Sequence, residues 1–190
     1  MYTYAVPQVD RVSFVSLVQT DVLHAEVVHT SQLRARVEQC LHSREPLAIV
    51  QAVSEYLPYL LGLYDCVLRD TILLRDDVHL TWHSMLVSSK FRLHGLLSEV
   101  CLMHMLYASS LRAEAATIVE ALGAYELGAH DRKACDDRLR VAIDLLCRAS
   151  GVCEYVATQL LPTYPAPPSK SAYPPELVSE GVQACSKLAM

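Results

Sequence analysis

Two histidines four residues apart, His79 and His83, and a cysteine and a histidine three apart, Cys101 and His104, have the spacing that could do chemistry. On a helix either interval places both side chains on one face, as a zinc site requires. No C-x-x-C pair accompanies them, and Cys101 and His104 fall in the most apolar stretch of the chain. Core or interface positions fit these residues better than a metal centre, and no metal is assigned to them.

Nucleophilic and phosphate chemistry lack their frames. The chain has no G-x-S-x-G elbow, no P-loop and no G-x-G-x-x-G turn. The paired acids Asp76–Asp77 and Asp136–Asp137 fall at expected helix boundaries, where carboxylates preceding a helix complement its dipole. No catalytic, cofactor-binding or metal-binding residue is assigned, no cofactor is expected, and the expectation is a protein that is not an enzyme. The partner-binding residues are unknown at this level. Tyr56, Tyr59, Tyr64, Tyr107 and Tyr155 stand in apolar helical patterns, and an apolar ring with a polar tip suits interfaces and wet-edged cores alike.

These side chains must be positioned by a chain of 190 residues that is 52% hydrophobic and 19% charged. That balance supports one sizeable core and excludes a disordered chain. With only 6 glycines, helices fit better than a turn-dense sandwich. A net charge of -5 without a basic cluster disfavours nucleic acid as a partner, because phosphate binding needs concentrated Lys and Arg. The odd set of seven cysteines is scattered through apolar stretches, which fits reduced thiols in a cytoplasmic protein. Met1–Tyr2–Thr3–Tyr4 shows no signal-peptide pattern, and no uninterrupted apolar run is long enough to span a bilayer. Membrane association is therefore expected only indirectly, through partners.

Periodicity predicts short strands over residues 12–18 and 78–82. It predicts helices over 24–42, 46–70, 91–121, 138–161 and 176–190, and a proline-rich loop over 162–175. In the first helix Ala25, Val28, Leu33 and Val37 form the apolar face, with Glu26, Arg34, Arg36 and Glu38 toward the other side. Pro46 opens the second helix, and Pro58 is expected to kink it. The run from Leu96 to Leu106 is apolar on most faces and should be buried. The last helix has no C-cap glycine, so the chain is expected to be a fragment that stops in mid-helix.

Four segments, in order, resemble the N-terminal half of the BRO-one domain family, which includes Alix-like and plant BRO-like proteins. The first is Tyr56–Leu57–Pro58–Tyr59–Leu60–Leu61 followed by Leu80–Thr81–Trp82–His83–Ser84. The second is the run from Leu97 to Ser109, in which Glu99 precedes a long apolar stretch. The third, Ala142 to Tyr155, is similar to the family's "A…AAG.F..L" helix, with Ser150 where many members have Ala. The fourth is Tyr173–Pro174–Pro175–Glu176–Leu177 with the helix leading to Met190. Departures are Met103–His104 in place of the usual Phe-Asn, and an idiosyncratic stretch over 113–131.

The resemblance implies a mainly α, elongated, boomerang-like domain with a small N-terminal β-sheet, of which residues 1–190 form a truncated part. It also implies a non-catalytic scaffold of endosomal sorting that docks the C-terminal helix of an ESCRT-III subunit, cytoplasmic and recruited to endosomes. The family's best-known ESCRT-III patch falls mostly beyond Met190, so no residue here inherits it. Two alternatives stand beside this reading. One is a generic or self-associating helical interaction protein; the other is a metal-dependent helical-bundle enzyme using His79, His83, Cys101 or His104.

Overall fold

Helical periodicity becomes five α-helices among the described residues of the computed structural model, which are 9, 12–19, 23–75, 78–123, 132–164 and 173–189. They are α1 (His24–Ser43), α2 (Pro46–Leu68), α3 (Leu96–Gly123), α4 (Arg132–Tyr155) and α5 (Ser179–Ala189). Between α2 and α3 lies an antiparallel hairpin, β1 (His79–His83) and β2 (Lys90–His94). Each helix packs on its neighbour in sequence, so α3 is enclosed by α2 on one side and α4 on the other. The protein is mainly α with a small two-stranded sheet.

The central position of α3 follows from its composition. Val100, Cys101, Leu102, Met103, Met105, Leu106 and Leu111 are all buried, covering most of the helix circumference. A helix without a polar face can be stable only between two others. By length and composition alone α2 could cross a membrane, although Gln51, Ser54, Glu55 and Asp65 interrupt its apolar run. Its Ile49, Val53, Tyr56 and Leu60 are buried inside the fold. Pro46 sits in its first turn, and the helix continues through Pro58 to Leu68. Pro58 lies on the exposed side, where the Ser54 carbonyl it leaves without a backbone N–H is not trapped in the core.

Several boundaries differ from the periodic reading. The strand expected over 12–18 is a 3-10 turn, Phe14–Ser16, followed by an isolated bridge from Val18 to Leu74. Val12, Phe14 and Val18 are buried, which mimics strand alternation, but the Phe14 N–H bonds the Ser31 hydroxyl of α1 instead of a neighbouring strand. A second isolated bridge, Val9 to Trp82, brings the N-terminal segment against β1.

Residues 91–94 belong to β2, not to the start of a helix. Leu93 pairs with Leu80 and Phe91 with Trp82. Gly95, at φ 84, then reverses the chain, with its N–H on the Val78 carbonyl and its own carbonyl receiving the Ser98 N–H. A positive φ is accessible to glycine at little cost, so the strand ends there and α3 begins.

The fourth helix starts at Arg132, six residues before its apolar pattern, because Arg132–Asp137 carries charge and no stripe. Asp136 and Asp137 therefore lie within α4, one turn past its start, and not at a boundary. After Tyr155 the backbone widens into a π-turn, Val156–Leu160, and tightens into a 3-10 turn, Leu161–Thr163. The helix expected from 176 is a 3-10 turn at Pro175–Leu177, then an extended Val178, then α5. The Asp76–Asp77 break, residues 165–172 of the proline-rich loop and Met190 lie outside the described residues.

Candidate partner-binding groove

The four residues singled out for chemistry are not brought together. His79 and His83 lie on β1, where four residues span roughly 13 Å, too far to share one ion. His79 pairs instead with His94 across the hairpin, Nδ1 to Nδ1 at 2.7 Å, with the rings edge to face. His83 stands opposite Lys90. Cys101 is buried in α3, and burial pushes its thiol up to about 12, far from a thiolate ligand or nucleophile. His104 donates from Nδ1 to the Val100 carbonyl at 2.7 Å. Burial lowers its pKa, a shift that this hydrogen bond opposes. Among the described residues no group of three or more His, Cys, Asp or Glu is placed to hold a metal ion.

What the fold does assemble is a buried polar knot that ties three helices together. Arg34 of α1 donates from Nε to Oε1 of Glu99 on α3 at 2.5 Å, and Tyr56 of α2 donates to the same oxygen at 3.2 Å. Arg34 and Glu99 are each 1% exposed and Tyr56 is fully buried. Arg34 was assigned to the polar side of the first helix, and the structure reverses that. Its long stem packs like an apolar residue while its head meets the one carboxylate in the first turn of α3. A second buried carboxylate, Glu176, accepts from the Ser84 hydroxyl at 2.9 Å and the Met85 N–H at 2.5 Å. It fixes the segment before α5 against the hairpin loop.

Packing of α3 between α2 and α4 leaves these three helices as the walls of an open groove of about 630 Å³. Leu57, Pro58 and Leu61 come from α2, His104 and Tyr107 from α3, and Arg148, Gly151, Val152 and Tyr155 from α4. Each helix contributes residues one turn apart because i, i+3 and i+4 positions share a face. The Tyr107 hydroxyl and the Arg148 guanidinium are hydrogen-bonded at 2.5 Å, and the guanidinium carbon lies 5.9 Å from the tyrosine ring centre. The Tyr155 ring faces that of His104 at 5.4 Å. Such a surface combines apolar walls with one cationic group. A smaller cleft of about 270 Å³ lies between α1 and α2, lined by Val27, Tyr59, Gly62 and Leu63.

Sequence reasoning had singled out Tyr107, Tyr155 and His104 among these, but not Arg148 or Gly151. Both lie in the Ala142–Tyr155 segment that carries the family resemblance, where Gly151 stands at the glycine of the "AAG" pattern, but nothing in that pattern pointed to a groove.

No family model matches the chain. Among curated proteins it is similar to the pH-response regulator protein palC of Cryptococcus neoformans var. neoformans serotype D, at 28% identity over 181 residues. The match covers 82% of this chain and 37% of that protein, so the chain spans little more than a third of its relative's length. Over 82% of its length, the chain is distantly similar to a pH-response regulator.

Proposed function

We propose that this chain is a non-catalytic, protein-binding part of an ESCRT-linked adaptor acting in pH-response signalling, cytoplasmic and recruited to endosomes by its partners. The observation that carries the reading is a coincidence of spans. The ordered BRO-one-like segments run from Tyr56 to Met190, and the similarity to a pH-response regulator covers 82% of the same chain. The fold supports it physically: a layered set of helices with an open apolar groove suits recognition of a partner helix. In this reading the chain corresponds to the N-terminal half of a BRO-type domain, and the ESCRT-III subunit docks its C-terminal helix largely beyond Met190. Titrating ESCRT-III C-terminal helical peptides into a version of the protein that extends past Met190 tests this. Saturable one-to-one binding supports the assignment, and no binding overturns it.

Self-association is the second reading, and one observation favours it. Leu139, Val141 and Ile143 of α4 are 41%, 52% and 58% exposed, unusual for large apolar side chains close together on one helix. Light scattering of the 190-residue chain decides between a stable dimer and a monomer.

A further inference from the structure

We infer that the groove between α2, α3 and α4 docks a short amphipathic helix that carries a carboxylate. This rests on reading the chain as a protein-binding scaffold, but not on ESCRT-III being the partner. Three features of the groove point to the same occupant.

The first is shape and chemistry. The walls present Leu57, Leu61 and Val152, and the volume of about 630 Å³ accommodates apolar side chains from successive turns of one helix.

The second is an unmatched charge held in place. Arg148 is the one lining residue that carries a full charge at neutral pH, and no lining residue is a carboxylate. Asp144 stands one turn before it on α4, in the order that favours an i, i+4 ion pair. The guanidinium turns instead to the Tyr107 hydroxyl and ring, and no carboxylate among the described residues pairs with it. A guanidinium fixed over an apolar groove is preorganised for a carboxylate, which it can bind through two parallel N–H donors.

The third is Gly151. Glycine is among the least favourable residues for a helix interior, and it sits well inside α4. A Cβ added there would meet nothing within 4 Å, so the chain's own packing gives no reason for its absence. A partner backbone lying close against α4 gives one.

The test uses the 190-residue chain and a synthetic helical peptide with leucines one turn apart flanked by glutamates, alongside its lysine-for-glutamate counterpart. Fluorescence polarisation should show the acidic peptide binding about tenfold or more tighter than the basic one. Arg148→Glu should reverse that order. Gly151→Leu puts an apolar side chain into the groove at a position whose Cβ meets nothing within 4 Å, so it should abolish binding while the thermal midpoint stays at or above that of the parent. Equal affinity for the two peptides, no binding of the acidic one, or unchanged affinity in Gly151→Leu would each overturn the inference. So would a dimer in light scattering that Gly151→Leu dissolves, because the occupant would then be a second copy of the chain. An ESCRT-III titration that succeeds in the longer version and ignores Gly151→Leu leaves the adaptor reading standing and removes this one.

Discussion

Replacing Glu99 by Gln should be the most damaging conservative substitution in the protein. Glu99 and Arg34 are both 1% exposed, with Nε and Oε1 2.5 Å apart, and Tyr56 donates to the same oxygen. In Glu99→Gln the Arg34 guanidinium keeps its charge and its burial but loses its carboxylate. Breaking a buried pair from one side costs about 3–5 kcal/mol, a large share of the 5–15 kcal/mol that holds an ordinary domain together. Tyr56→Phe removes only a neutral donor and should cost about 1 kcal/mol. Arg34→Met combined with Glu99→Leu removes both charges and should recover most of the loss, because an apolar replacement of similar volume is near neutral. Urea unfolding followed by circular dichroism gives the three values. A loss below about 1 kcal/mol in Glu99→Gln, or a double variant worse than the single, would refute the view that this knot is a desolvated ion pair.

Two glycines should respond with opposite signs. Gly151→Ala should raise stability by about 0.5–1 kcal/mol, whereas Gly181→Ala should lower it, because the new Cβ would lie 2.0 Å from the Pro175 carbonyl oxygen; thermal melts read both. His104, whose pKa burial lowers below the ordinary 6.5, stays neutral in the fold while the unfolded chain takes up a proton. Its contribution to stability is therefore complete above that ordinary value and is lost as pH falls below it, toward the folded-state pKa. His104→Gln should flatten the stability profile as pH falls below that ordinary value, read by thermal melts across a pH series. Glu176→Ala leaves the Met85 N–H without its acceptor and should cost about 1–3 kcal/mol, with faster amide exchange in α5 and the hairpin loop. Exposed Cys147 should react with maleimide in the folded protein, while Cys101 and Cys153, pushed by burial up to about 12 and about 11, should wait for unfolding.

The helices were legible where apolar periodicity was strong. The composition of residues 96–106 showed a helix with no polar face, and burial followed. Periodicity misled where a different local device took over. Phe91 and Leu93 continue the apolar run of α3, but their partners are Trp82 and Leu80, and the left-handed Gly95 ends the strand. Phe14 alternates like a strand residue, yet its N–H goes to a helix hydroxyl. Arg34 was misplaced because residue type was taken as a guide to exposure, while its partner Glu99 lies 65 positions away and no local pattern carries that pairing. The groove was hidden for the same reason. Leu57, His104 and Val152 become neighbours only when three helices pack, and Arg148 stands out only once Tyr107, and not Asp144, is seen to hold it.

The claim that this chain works by docking a partner helix is tested most directly by isothermal titration of ESCRT-III C-terminal helical peptides into a version extending past Met190. The account predicts one saturable site, with a heat-capacity change of the negative sign that buried apolar surface gives. No heat and no saturation with any of these peptides, from a protein that melts cooperatively, would contradict it.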